Sequence, residues 1–385
     1  MCCLKKYLTF LVASLLCLAG CGNHRCLPKE FDKEVYIPRF AEGFAIYGSE
    51  KGESTIVKVM NPWQGASDVE SLLLVRRAGE QIPEGIDLQV VDYPAQRIAC
   101  LSSSYVAMLE ALSSDSLIVA VSGKKFLFNP TVCERDVADI GYDEAIDYEA
   151  LVSLGTDLVL MYGVNGKSGA EKKLRELGIP YLYIGEYLEN HPLGKAEWLM
   201  AIGEAVGRRE MASSIFDSIC DNYNNLRDSI AAVSSSAKAK VMMNTPYGDS
   251  WFLPSPDSYM ARLVRDAAGE YLPGNENIYR RSAGRKAPES ARVDLEMAVT
   301  LVNSADIWLN ADAPSISVLT ERLPQVADSP CVRKGMVFNC DKRVNEAGGN
   351  DFWESSVVHP DIVLRDLASI IGGRGEGLYY YRRLE

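Results

Sequence analysis

The sequence predicts an α/β protein: two Rossmann-like lobes joined by one long rigid α-helix, with a small β-rich elaboration at the N-terminus. Three observations predict it. From Pro94 onward, short apolar runs of strand length alternate with apolar residues at helical spacing, as in a parallel sheet with crossover helices. One unbroken apolar stripe then runs through Met211, Ile215, Ile219, Tyr223, Leu226, Ile230 and Val233, at intervals of three and four. After Ser234-Ser235-Ser236 the strand-helix alternation resumes.

The first element is a leader. Lys5 and Lys6 precede the apolar run Tyr7 to Leu18, which is too short to cross a bilayer as a stable helix. Leu18-Ala19-Gly20 before Cys21 has the form of a bacterial lipobox, where Cys21 is lipidated and becomes the mature N-terminus. An ordinary secretory signal that happens to end beside a cysteine is the alternative. Residues 1–20 therefore read as a signal peptide and 21–38 as a lipidated tether, and no other segment reads as membrane-spanning. Residues 39–92 alternate apolar and polar in short runs, Phe44 to Tyr47, Thr55 to Val59, Leu72 to Val75 and Leu88 to Val91, separated by Asn61-Pro62, Ala78-Gly79 and Pro83-Glu84-Gly85. That is strand-and-turn patterning, a β-rich extension.

The first lobe, 93–190, takes its strands from Arg97 to Leu101, Ile118 to Val121, Asp157 to Tyr162 and Tyr181 to Ile184. Its helices follow Ser102-Ser103-Ser104 and span Tyr148 to Leu154 and Glu171 to Leu177. Residues 191–236 form the interlobe helical segment; a helix over 208–233 would be roughly 39 Å long at 1.5 Å per residue. The second lobe, 237–385, has strands at Lys240 to Met243, Ile307 to Leu309 and Met336 to Phe338. Its helices span about Ser258 to Ala268, Leu295 to Val302 and His359 to Ile370.

Composition narrows the function. With 385 residues, 47% hydrophobic and 24% charged, the chain is long enough for two globular lobes. Its net charge of −12 argues against nucleic acid as a partner. Ten cysteines show no CxxC spacing, so neither a zinc ribbon nor a thioredoxin-type motif is indicated. In an oxidising envelope Cys331 and Cys340 could pair; buried free thiols are the alternative. Three histidines, His24, His191 and His359, are too few and too scattered for a transition-metal site. His191 and His359 each precede a proline, which suits a helix start. No GxSxG, P-loop, HExxH or ordered GxGxxG occurs, so the chain does not read as an enzyme. Gly372 to Gly377 is glycine-rich but follows a helix, whereas a phosphate loop follows a strand.

Ligands of parallel sheets sit beyond the carboxyl ends of the strands. That rule selects Ser102, Ser103, Ser104, Lys124, Phe126, Tyr162 and Gly163 in the first lobe, and Tyr247, Trp251, Arg280, Arg281, Asn310 and Asn345 in the second. Trp251 follows Asp249-Ser250, which favours an exposed wall over deep core. Aromatic side chains offer a flat apolar wall, and arginines suit carboxylate or phosphate groups on a ligand. The segment Arg280 to Lys286 reads equally as a solvated basic loop, and Tyr162 equally as core packing.

Several motifs in order resemble the substrate-binding proteins of ABC importers for iron chelates, haem and cobalamin. They are Pro94-Ala95-Gln96-Arg97-Ile98, Tyr148-Glu149-Ala150-Leu151 leading into Thr156-Asp157-Leu158-Val159-Leu160, Leu177-Gly178-Ile179-Pro180, and His359-Pro360-Asp361-Ile362-Val363-Leu364. Thr156 stands where that family usually has proline. Glu186-Tyr187-Leu188-Glu189 and Ala196-Glu197-Trp198 resemble a version common in Bacteroidetes-type lipoproteins. The resemblance covers about residues 92–370. It implies a monomer, lipid-anchored and periplasmic, that captures a metal chelate or tetrapyrrole between the lobes and presents it to ABC permease subunits. It implies no cofactor. It also implies one docking carboxylate per lobe, matched by Glu149 and Glu296; two solvated helix charges are the alternative. An envelope chelatase on the same fold, or a storage module without a permease, would share all these motifs.

Overall fold

The computed structural model describes residues 27–84, 88–142, 145–164, 166–234, 237–275 and 290–385. Its architecture is the α/β plan expected, with a separate N-terminal sheet in front. That sheet has five strands in the order β1-β2-β3-β4-β5: Lys33–Tyr36, Phe44–Gly48, Thr55–Met60, Glu70–Arg76 and Gln89–Asp92. The first four form an antiparallel meander, and β5 adds in parallel to β4.

One expectation about this region is corrected. The tether does not extend to residue 38, because β1 begins at Lys33 and Phe31 is buried. The cause is apolar packing: Leu27 and Phe31 lie with Ile56, Leu72 and Leu74 on the outer face of the sheet. The extension is built into the first lobe. Its inner face shares one core with the first lobe, Phe44 meeting Trp198 with ring centroids 4.8 Å apart. Three buried carboxylates fasten the seam. Glu197 accepts from the Tyr36 hydroxyl at 2.6 Å and from the N–H groups of Arg39, Phe40 and Ala41. Glu189 accepts from the N–H groups of Glu42 and Gly43 and from the Trp198 indole. Glu204 accepts from the Thr55 hydroxyl at 2.6 Å and pairs with Arg209.

The first lobe is a parallel sheet of β6 (Ile98–Cys100), β7 (Ile118–Val121), β8 (Ala138–Asp139), β9 (Leu158–Met161) and β10 (Tyr181–Tyr183). The spatial order is β10-β9-β6-β7-β8. The chain starts at the central strand, builds outward on one side, then returns to build the other. The reversal lies between β6 and β9, which leaves a crevice beyond their carboxyl ends.

Short helices Pro192–Glu197 and Leu199–Ala205 lead to the long helix Arg209–Val233. Its buried face is Ala212, Phe216, Ile219, Cys220 and Tyr223. Met211 and Val233, expected inside, are exposed. The stripe read from sequence is turned by about one residue, because the helix packs on Leu199–Ala205 at its start and on Pro360–Ile371 of the second lobe further along.

In the second lobe, β11 (Lys240–Met243) is flanked in parallel by β13 (Glu270–Tyr271) and β15 (Ile307–Leu309). Again the first strand is central, so a second crevice opens beyond β11 and β15. An antiparallel two-stranded sheet of β12 (Ser250–Pro254) and β14 (Ser290–Asp294) was not expected. The terminal strands β16 (Phe338–Asn339) and β17 (Arg382–Arg383) also pair. Cys331 and Cys340 are buried free thiols, so their proposed pairing does not hold.

Candidate ligand-binding cleft

Each lobe has its own switch-point crevice, beyond β6 and β9 in the first and beyond β11 and β15 in the second. On the first lobe, Ser102 and Ser103 are half-buried at the end of β6 and the start of helix Ser103–Ala111. Ser104 is buried and donates to Glu186 Oε1 at 2.8 Å, while the Ser102 and Ser104 hydroxyl oxygens are 2.8 Å apart. Tyr162, half-buried, follows β9; it acts electrostatically with Glu186 and Tyr187 on the phenol of Tyr105. Gly163 is held between Trp63 of the extension, as an isolated parallel bridge, and the Tyr187 hydroxyl, which donates to its carbonyl. A side chain at Gly163 would strike the Gly166 carbonyl at 2.6 Å, so this turn needs glycine.

In the sequence Glu186 reads only as part of the Glu186-Tyr187-Leu188-Glu189 motif and not as a site residue. It is 5% exposed and sits at the junction of the lobes, charge-coupled to Tyr105 on one and Tyr259 on the other. Burial raises its pKa; Lys195 and the Ser104 hydroxyl act against that rise. Its Oε2 is buried with no hydrogen-bond partner. Lys195 donates to the Glu186 carbonyl at 3.2 Å and lies 4.5 Å from the centre of the Tyr259 ring. Tyr381 and Cys340 lie buried near Tyr259 in the second lobe, and the Tyr381 hydroxyl donates to Asn310 Oδ1 at 3.0 Å. Phenols of both lobes thus act on one buried carboxylate. Only an alignment of charged and polar types across both lobes could have revealed it in the sequence.

The other selected residues divide. Asn310 stands at the carboxyl end of β15 with φ 53°. Tyr247, 84% exposed, and Phe126, exposed beside Tyr142, stand at the rim. Lys124 is turned to its own lobe, where its ammonium donates to the Arg135 carbonyl at 2.6 Å. Trp251 is a correction: it is fully buried, stacks near Trp308 at 5.6 Å and donates to the Met243 carbonyl at 3.1 Å. Alternation along β12 turns Trp251 and Leu253 inward and Phe252 outward. Asn345 is a second correction. Its amide donates to the carbonyls of Lys125 and Leu127, so it clasps the lobes together. Glu354 completes that clasp by accepting from the N–H groups of Phe128 and Asn129, both at 2.7 Å. Arg280, Arg281 and Cys21 lie outside the described residues.

Glu149 and Glu296 occupy matching positions. Asp147 caps helix Tyr148–Ser153 by accepting from the Ala150 N–H, and Asp294 caps Leu295–Val302 by accepting from the Met297 N–H. Each glutamate is second in its helix, exposed, and favoured there by the helix dipole. His191 is the side-chain cap of Pro192–Glu197, accepting from the Leu193 N–H at 3.0 Å; burial lowers its pKa to about 4. His359 precedes Pro360–Ile371 and is exposed.

A family model described as periplasmic binding protein matches residues 98–344. An uncharacterized lipoprotein of Methanocaldococcus jannaschii is 23% identical over 355 residues, 85% of this chain and 79% of that one. A periplasmic heme binding protein from Pseudomonas aeruginosa is similar in structure, with TM-score 0.57 and 14% identity, over 76% of this chain and 98% of that one. So is the Fe3+-Desferal-bound siderophore binding protein FhuD of Vibrio cholerae, with TM-score 0.51 and 14% identity, over 72% and 99%. The vitamin B12 binding protein BtuF of Vibrio cholerae matches with TM-score 0.53 and 13% identity, over 74% and 99%.

Proposed function

We propose that this chain, which belongs to the periplasmic binding protein family, is the receptor component of an ABC importer and holds a metal chelate or tetrapyrrole between its lobes. The observation that carries the reading is that each lobe has a switch-point crevice, beyond β6 and β9 in one and β11 and β15 in the other. The structural neighbours bind heme, Fe3+-Desferal and vitamin B12, and the ligand proposed is of that class. The family is one of binding proteins, and the reading adds no catalytic role.

Lipidation at Cys21 would keep the receptor in the envelope. Glu149 and Glu296 would present one carboxylate per lobe to cationic side chains of the permease. Two rim charges at a fixed separation set orientation and speed encounter. The long helix between the lobes resists bending, so closure on the ligand is small.

The test is a titration of purified protein with corrinoid, haem and ferric siderophores, read by tryptophan quenching and calorimetry. Binding of one class is expected, and binding of none would defeat the reading. A second measurement addresses the importer role. The pair Glu149→Lys and Glu296→Lys should abolish cellular uptake while leaving ligand affinity unchanged. Uptake at the normal rate in that variant would point to storage or relay without a permease.

A further inference from the structure

The Ser102–Ser104–Glu186 chain fixes the polarity of the cleft floor. A serine hydroxyl has one proton to give. Ser104 gives its proton to Glu186 Oε1 at 2.8 Å. The 2.8 Å contact between the two serine oxygens must then be Ser102 donating to Ser104. Ser102 has no proton left for anything else. Nor is its side chain used to cap the helix that follows it. What remains is a pair of lone pairs on a half-buried hydroxyl, at the reversal point between β6 and β9.

We propose that Ser102 is an obligate hydrogen-bond acceptor in this cleft, and that it selects chelates presenting N–H, O–H or ammonium groups over chelates edged by carboxylates. The inference rests on the receptor reading above and specifies its cargo. A second observation agrees with it. Behind the serines lies the buried Glu186 carboxylate, whose Oε2 has no hydrogen-bond partner. Lys195 donates to the Glu186 backbone carbonyl at 3.2 Å and its charge also favours the carboxylate. A carboxylate laid over Ser102 would meet lone pairs in front and a buried carboxylate behind. A donor group meets the opposite.

Four probes test this at pH 8 by tryptophan quenching. Cyanocobalamin carries amide donors and ferrioxamine B carries an ammonium; hemin and ferric citrate present carboxylates. At least one donor-bearing probe should bind about ten-fold tighter than either carboxylate probe, the worth of one well-placed hydrogen bond. Ser102→Ala should lose about that factor for the donor probe with an unchanged melting temperature. Ser104→Ala frees the Ser102 proton and should narrow the gap by strengthening the carboxylate probes. Tighter binding of hemin or ferric citrate by the unaltered protein overturns the proposal alone, as does indifference of all four affinities to Ser102→Ala. Binding of none of the four overturns the receptor reading, and this proposal with it.

Discussion

Glu354 is held where a carboxylate is uncomfortable. Burial pushes its pKa up to about 7, Asp351 and Glu110 add to the rise, and the N–H groups of Phe128 and Asn129 oppose it. The folded protein therefore keeps a proton that the unfolded chain releases near pH 4.5. Its contribution to stability is complete below that range and is lost as pH rises through 7, an effect of about 3 kcal/mol at most. His191 acts in the opposite sense. Its folded pKa of about 4 lies below the usual 6.5, so stability is lost as pH falls from 6.5 towards 4. Urea denaturation across pH 4–8 should show the two slopes, with Glu354→Gln flattening the first and His191→Asn the second. Trp251 gives a different kind of test. Truncation to alanine should cost about 3–5 kcal/mol, because a fully buried indole leaves a cavity and an unpaired Met243 carbonyl. A cost under 1 kcal/mol would place Trp251 at the surface after all. Its burial was illegible locally: Asp249-Ser250 suggested a loop, and only the pairing of β12 with β14, forty residues on, sets which face is inward.

Local pattern was a good guide to elements whose burial is set by near neighbours. Ile118–Val121, Lys240–Met243, Leu295–Val302 and Ile307–Leu309 stand where the apolar runs put them. Elements shaped by distant partners were not so readable. The long helix carries an apolar stripe along its whole length, but two different lobes share it, and its most buried face follows their positions rather than the strongest stripe. The 341–350 loop is similar. From the sequence, Asn345 reads as a ligand contact at a strand end, yet its oxygen also ties the Ala347 and Gly349 N–H groups and so stiffens the clasp. Asn345→Ala should cost only about 1–2 kcal/mol of stability. Amide hydrogen exchange over residues 123–129 should nevertheless rise by about ten-fold as the lobes part more often. Unchanged exchange there would mean that Glu354 alone holds the clasp.

At the scale of the whole molecule, the two-lobed plan was legible because each lobe repeats the same strand-helix alternation. The cleft was legible only as a set of strand ends. Its chemistry, a carboxylate among phenols drawn from both lobes, depends on tertiary placement. The extension shows the same limit. Its strands were visible, but its fusion to the first lobe rests on Glu189, Glu197 and Glu204, whose partners are about 150 residues away. Deleting residues 27–92 would strip Glu197 of its hydrogen bonds from Tyr36, Arg39, Phe40 and Ala41, leave Glu189 with the Trp198 indole and Glu204 with Arg209, and expose one side of the core. The truncated protein should be recovered in a collapsed, protease-sensitive state without near-ultraviolet circular dichroism. A folded, ligand-binding truncation would show that the seam is dispensable.

The packing of Leu27 and Phe31 on the outer face of that sheet sets a leash. With lipid on Cys21, as proposed, only six residue steps separate the bilayer from the folded body, a reach of about 20 Å at full extension. Such a receptor does not diffuse through the envelope in search of cargo. It patrols a thin layer in two dimensions, and cargo must come to it. Lengthening the stretch before Leu27 with glycine and serine should slow uptake at limiting permease while leaving affinity in solution untouched.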